Sequence, residues 1–219
     1  MSINKGDLDA LLDEQRQAGI AKFTKEKNQI YTDGIASVSS SGILSKALNV
    51  GDKAPDFTLN NVLNNPISLY EELENGPVVL TWYRGGWCPY CNITLRYLQE
   101  KLPEFKKLNA TLLALTPELP DNSLTTAQKN KLEFTVLSDL GNNIGKEYGV
   151  VFKLTNEVAS IYEASFGLNE KNGNANNELP LAATYVINTN GIIQYAFLSA
   201  DYRERAEPTD IISVLTKLN

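Results

Sequence analysis

The sequence predicts an α/β domain: a central mixed sheet with helices on both faces and an antiparallel edge, preceded by an N-terminal helical extension. Three observations predict it. Short apolar runs at 78–83, 111–116 and 134–139 alternate with stretches of helical apolar spacing, the pattern of strands joined by crossover helices. Two β-rich runs, 184–187 and 192–197, flank Asn188-Thr189-Asn190-Gly191, and Asn-Gly between such runs is the strongest short hairpin signal. Residues 1–48 read as helices and a loop, an extension set before a main domain at 49–219.

In chain order, Asp7 is placed to cap a first helix whose Leu8, Leu11 and Leu12 share a face with Gln15 and Ala18. Phe23 and Ile30 extend that apolar contact. The serine-rich stretch 37–42 reads as a loop, followed by a short helix through Ile43, Leu44 and Leu48. These helices are expected to pack on the main domain; the alternative is a contact between two copies of the chain. Phe57 and Leu59 alternate with Asp56, Thr58 and Asn60, as in a half-buried strand. Asn64-Asn65-Pro66 makes a turn into a return strand at 67–69, and Ser68 caps a small helix through Leu73. After the strand at 78–83, Cys91, Leu95, Leu98, Leu102 and Phe105 fall at spacings of three and four, a helix whose stripe faces the sheet. Pro103 inside it should kink it. Further helices are expected near 123–131 and 144–148. Residues 150–166 read as a partly helical insertion and 170–177 as a polar, mobile loop. Pro208 opens a terminal helix through Ile211, Ile212 and Leu215.

The chemistry concentrates at Arg84-Gly85-Gly86-Trp87-Cys88-Pro89-Tyr90-Cys91, which holds both cysteines of the chain. A buried strand, two turn-forming glycines and then a helix place a Cys-x-x-Cys pair at a helix N-terminus. There the helix dipole and free N–H groups stabilise an anion. Pro89 suits the first helical position, where its missing N–H is not needed. An ordinary thiol, with a pKa of about 8.5, is only a few per cent ionised at neutral pH, and the thiolate is the nucleophile. Cys88 is therefore expected to have a depressed pKa, with Arg84 adding a fixed charge. Cys91 is expected one turn along on the same side, more buried, and close enough to Cys88 to form a disulfide. A Cys-x-x-Cys beside such strand–helix alternation reads as a thioredoxin-like redox site.

Composition narrows the function. The 219 residues carry a net charge of −6, which offers no basic footprint for nucleic acid. No apolar run approaches membrane-spanning length, and the first seven residues contain no signal-type apolar region. No membrane contact and a cytoplasmic location are the expectations. There is no histidine and no third cysteine, so half a zinc site is all the thiols offer, and no metal or cofactor is expected. The lack of histidine also removes Ser-His-Asp and Cys-His mechanisms as usually built, leaving carboxylates, Tyr, Thr, Lys, thiols or water to handle protons.

Four ordered segments carry a family resemblance: 51–59 (GDKAPDFTL), 82–92 (WYRGGWCPYCN), 183–188 (ATYVIN) and 201–208 (DYRERAEP). In these the chain resembles peroxiredoxin-like proteins of the alkyl hydroperoxide reductase and thiol-specific antioxidant (AhpC/TSA) family. The resemblance implies a thioredoxin-like fold and a thiol-dependent peroxidase. Carried onto this chain, Cys88 would attack the peroxide and become a sulfenic acid, Cys91 would condense with it, and a thioredoxin- or glutathione-type donor would reduce the disulfide. Arg84, or an arginine from Arg203 and Arg205, would hold the thiolate. Trp87 and Thr184 are supporting candidates, and a homodimer is implied only by the resemblance. Arg203 and Arg205 read equally well as a surface salt-bridge pair.

The chain also departs from the family string Pro-x-x-x-Thr-x-x-Cys. Counted to Cys88, the Pro and Thr positions hold Thr81 and Gly85; counted to Cys91, they hold Arg84 and Cys88. Ala182 stands near the place of the thioredoxin cis-proline, where a trans bond is expected because a non-proline cis bond costs about 3 kcal/mol. Cys-Pro-Tyr-Cys is also a glutaredoxin active-site string, so a thiol–disulfide oxidoreductase is the alternative enzyme. A redox-sensing interaction protein is the alternative that needs no turnover.

Overall fold

The computed structural model describes residues 7–218. Three helices open the chain: α1 (Asp7–Lys22), α2 (Lys25–Ser40) and the single turn α3 (Ile43–Lys46). A small antiparallel pair follows, β1 (Thr58–Asn60) and β2 (Pro66–Ser68), then α4 (Leu69–Leu73). The central elements are β3 (Val78–Trp82), α5 (Pro89–Lys107), β4 (Thr111–Thr116), α6 (Pro120–Lys129), β5 (Thr135–Ser138) and α7 (Asn143–Glu147). Next come β6 (Val151–Lys153), α8 (Asn156–Phe166), α9 (Leu168–Asn172) and β7 (Glu178–Pro180). The chain ends with β8 (Thr184–Ile187), β9 (Ile193–Phe197) and α10 (Pro208–Leu218).

Five strands form the main sheet in the order β5-β4-β3-β8-β9. β3, β4 and β5 run parallel, as the crossover helices require, and the β8–β9 hairpin adds the antiparallel edge. Alternate side chains of each strand feed two cores. Val79, Leu112, Ala114 and Val186 face α5, α10 and α1; Val78, Leu80, Leu113 and Ile187 face the other side. Trp82 anchors that second core, with its ring 5.0 Å from Tyr148 and 5.9 Å from Tyr185.

The N-terminal helices pack on the rest of the chain. Leu8 and Leu12 are buried in the cluster of α5, and α2 lies against α8. Each such leucine contributes roughly 1.5–3 kcal/mol of burial. Leu11, expected on the same face, is 43% exposed, because at 3.6 residues per turn it lies about 60° around the helix from Leu8 and about 100° from Leu12, on the flank of the stripe. Asp7 is the first residue of α1 itself, and the position before it lies outside the described residues.

Several expectations need correcting. Residues 37–40 are the last turn of α2, not a loop. Val38 is buried and holds that turn in place, the serines flank it on the exposed side, and the chain breaks only at Gly42, in the left-handed conformation. The helix expected near 123–131 begins earlier, at Pro120, whose fixed φ suits the first helical position. The insertion at 150–166 contains a strand, β6, before the helix, and β6 pairs with β7. The polar stretch 170–177 starts inside α9, with Asn172 buried, so just residues 173–177 connect α9 to β7. Helix α5 continues across Pro103 to Lys107. No peptide bond is cis among the described residues, Ala182 included.

Candidate active site

β3 delivers the chain to the C-terminal edge of the sheet, where α/β folds place their ligand crevices. Residues 83–88 then turn sharply into α5. Gly85 has φ +152°, and a Cβ there would collide with the Trp87 indole; a Cβ on Gly86 would run into the Thr126 hydroxyl. The two glycines are thus a steric requirement of the turn. Cys88 caps α5 with extended backbone angles, and Pro89 takes the first helical position. The Cys88 N–H donates back to Gly85 O at 3.1 Å.

Each sulfur has its own guanidinium. Arg84 Nη2 donates to Cys88 Sγ at 3.1 Å, while Nη1 donates to Tyr162 Oη at 2.8 Å. Arg205 Nη2 donates to Cys91 Sγ at 3.3 Å, and its other arm is fixed by the carbonyls of Tyr202 and Glu204. Both arginines are buried. The Arg84 guanidinium lies 3.9 Å from the Tyr202 ring centre and 5.1 Å from that of Trp87, so aromatic faces replace the water it has lost.

This arrangement separates the two thiols. Burial pushes Cys88 up, but a hydrogen bond from the Cys91 thiol and the charges of Arg84 and Arg205 outweigh it and hold Cys88 well below the ordinary thiol range. Burial pushes Cys91 well above that range, reinforced by its hydrogen bond and repulsion with Cys88. The two shifts run in opposite directions, favouring ionisation at Cys88 and the protonated form at Cys91. Burial differs from expectation: both cysteines are fully buried, so Cys91 is no deeper than Cys88. The physical reason is the packing over the helix start. Leu8 and Leu12 of α1 join the apolar cluster containing both sulfurs, and Arg84 with its rings stands beside Cys88.

Of the supporting candidates, the structure brings Trp87 and Arg205 to the cysteines. Trp87 is half-buried and stacks on Phe166 at 5.0 Å. Arg203 is not at the site. It grips Asp201 through Nε at 2.8 Å and Nη2 at 2.7 Å, because a carboxylate two residues away satisfies that edge of its guanidinium locally. The Thr184 hydroxyl pairs with that of Thr81 at 2.8 Å across β3 and β8.

Three contributors escaped the sequence reading. Tyr162 and Tyr202 were visible as aromatics, but nothing local places a ring from α8 or from the 201–206 loop over Arg84. Glu118 follows β4 at the same sheet edge as the cysteines, which is the signal that marks it. It is almost fully buried, and its Oε2 accepts the Gly86 N–H at 2.7 Å. Burial raises its pKa to about 7, against the pull of that N–H and of Lys171, while Cys91 pushes it further up.

Residues 50–196 match the model of the AhpC/TSA family. The chain belongs to the AhpC/TSA family. Its relatives include Peroxiredoxin Q, chloroplastic, of Arabidopsis thaliana, 29% identical over 167 residues that cover 76% of this chain and 67% of the relative. The Peroxiredoxin Q of Sedum lineare is 30% identical over 147 residues, covering 67% of each. Peroxidoxin BcpB of Mycobacterium tuberculosis has the same fold: TM-score 0.62 at 19% identity, covering 78% of this chain and 99% of that one. The AhpC/TSA match takes in the sheet up to residue 196 in β9, the turn that carries Cys88, Glu118 and Tyr162, and leaves α1–α3 and Arg205 outside.

Proposed function

We propose that the chain is a thiol-dependent peroxidase that works through Cys88 and Cys91. Membership of the AhpC/TSA family and relatives named peroxiredoxins support the reaction class. The observation that carries the residue assignment is the donation from Arg84 Nη2 to Cys88 Sγ inside a buried, aromatic-walled site. The Cys88 thiolate attacks one peroxide oxygen. An S–O bond forms, the O–O bond breaks, and the departing alkoxide or hydroxide takes up a proton. The product is a Cys88 sulfenic acid. Arg84 Nε–H has no acceptor among the described residues, so the guanidinium has a donor to spare for the oxygen that gains charge. The Cys91 thiol then condenses with the sulfenic acid, forming the disulfide and releasing water. An external thiol donor, a thioredoxin-type dithiol or two glutathione molecules, supplies the two electrons that restore both thiols and leaves as its own disulfide.

A Cys91→Ser variant tests the assignment. Treated with one equivalent of peroxide and then dimedone, it should carry the adduct on Cys88, located by peptide mass spectrometry. A Cys88 without the dimedone adduct that instead forms a lasting mixed disulfide with an added protein substrate would make the chain a thiol–disulfide oxidoreductase.

A further inference from the structure

Two helices outside the family match reach the site. The match begins at residue 50, whereas α1 and α2 end at Ser40. Between these helices and the redox turn lies a cavity of ≈ 300 Å³. Gly19, Phe23 and Tyr31 form one wall, Trp87 and Tyr90 another, and Arg84 reaches it from beneath. The aromatic lining is continuous: ring centres are 5.6 Å apart for Phe23–Tyr31, 6.1 Å for Tyr31–Tyr162 and 5.0 Å for Trp87–Tyr162. The buried cation bonded to Cys88 thus lines an aromatic cleft, whose outer wall also carries Gln15 and the exposed Lys22.

That combination suits a molecule with a polar oxygen head and an apolar body. Hydrogen peroxide, only a little larger than a water of about 30 Å³, would leave most of the cavity to solvent and gain little from the rings. An organic hydroperoxide of aromatic size would turn its oxygens to Arg84 and bury its carbon body against them. Gly19 matters for the space. A Cβ there would lie 3.7 Å from Tyr90 Oη and 3.9 Å from the Phe23 ring, so a longer side chain grows across the cavity between its two walls. Glycine is a poor choice for a helix interior, and here its lack of a side chain keeps the cavity open.

Resting on the peroxidase reading above, we propose that Gly19, Phe23 and Tyr31 determine specificity: α1 and α2 complete the peroxide cleft and select hydroperoxides with a bulky apolar body over hydrogen peroxide.

The test compares kcat/KM for cumene hydroperoxide and hydrogen peroxide, with dithiothreitol as electron donor, in the full chain and its Gly19→Leu and Tyr31→Ala variants. The wild type should favour cumene hydroperoxide at least tenfold. Gly19→Leu, which improves helix propensity and so should fold, should cut that ratio at least fivefold, chiefly through KM. A ratio that stays within twofold of wild type in both variants, or a wild type without preference, overturns the proposal. Titration with 2-phenyl-2-propanol, the unreactive alcohol, reads the cleft separately through Trp87 emission. A wild type that consumes neither peroxide, yet binds the alcohol in a way that Gly19→Leu weakens, would sink the peroxidase reading and uphold the cleft. Failure of both readouts overturns the two together.

Discussion

Replacing Arg84 with methionine should slow the reaction with peroxide by two to three orders of magnitude at pH 7, while leaving the chain folded. Three effects add in this one side chain. Its charge holds Cys88 as a thiolate in a site where burial alone would protonate it. Its Nη2–H is a direct donor to the sulfur. Its spare Nε–H faces no acceptor among the described residues, and losing one preorganised donor to a developing anion typically costs about 10²–10³ in rate. Methionine fills similar space among Tyr202, Trp87 and Tyr162, so the cage keeps its packing. The rate should also change its pH dependence. In the wild type it stays flat from neutrality into the acid range, because Cys88 remains ionised there. In the variant it should fall steeply as pH drops below the ordinary thiol pKa of about 8.5. Arg84→Lys is the informative control. It keeps the charge but lacks the fork that serves Cys88 and Tyr162 together, so it should recover the pH profile better than the rate. Stopped-flow tryptophan fluorescence across pH measures both, and an Arg84→Met variant within threefold of wild type would remove Arg84 from the mechanism.

The sheet was legible in the sequence because its signals are local. The run 111–116 is the strand β4 as read, and Asn190-Gly191 sits in the hairpin between β8 and β9. The Cys-x-x-Cys pair at a helix start was equally plain, since Pro89 and two glycines announce the turn. What escaped depends on contacts distant in sequence. Tyr162 lies 78 residues from Arg84, and Arg205 lies 114 from Cys91. No spacing rule connects them. Arg203 and Arg205 show how fine the distinction is: two residues apart, one is spent on Asp201 and the other reaches a sulfur. The burial of Cys88 was missed for a related reason. A helix N-terminus is usually open, whereas the docking of α1 on α5 and the ring-packed Arg84 close this one. The stretch 37–40 misled because serine signals a loop in isolation, whereas one buried Val38 is enough to hold the last turn of a helix.

Glu118→Gln should stabilise the protein above neutral pH and do little for it in acid. The carboxylate is almost fully buried, with one N–H bond from Gly86 and no ion pair among the contacts described for it. Burial lifts its pKa from the ordinary 4.5 to about 7. Below about pH 4.5 the group is protonated in both native and unfolded chains and contributes no penalty. Between 4.5 and 7 the native state holds a proton that the unfolded chain has released, so stability falls as pH rises. Above 7 both are ionised and the whole cost remains, on the order of 3 kcal/mol as an upper figure. Glutamine keeps an oxygen for the Gly86 N–H and cannot ionise, so it removes the penalty without releasing the Gly85–Gly86 turn. Urea unfolding at pH 5 and pH 8 should therefore show wild-type stability dropping more than that of the variant, by about 1–3 kcal/mol. Equal drops would mean that Glu118 is already ionised, or relieved by movement, at pH 5. Both the charge and the acceptor of Glu118 bear on the cysteine pair. Gly86 O accepts from Asn92, Asn92 belongs to the same first turn of α5 as Cys91, and a charge formed on Cys91 would be felt at Glu118 itself. By reciprocity an ionised Glu118 disfavours a Cys91 thiolate, which helps keep Cys91 the protonated partner of the pair at neutral pH.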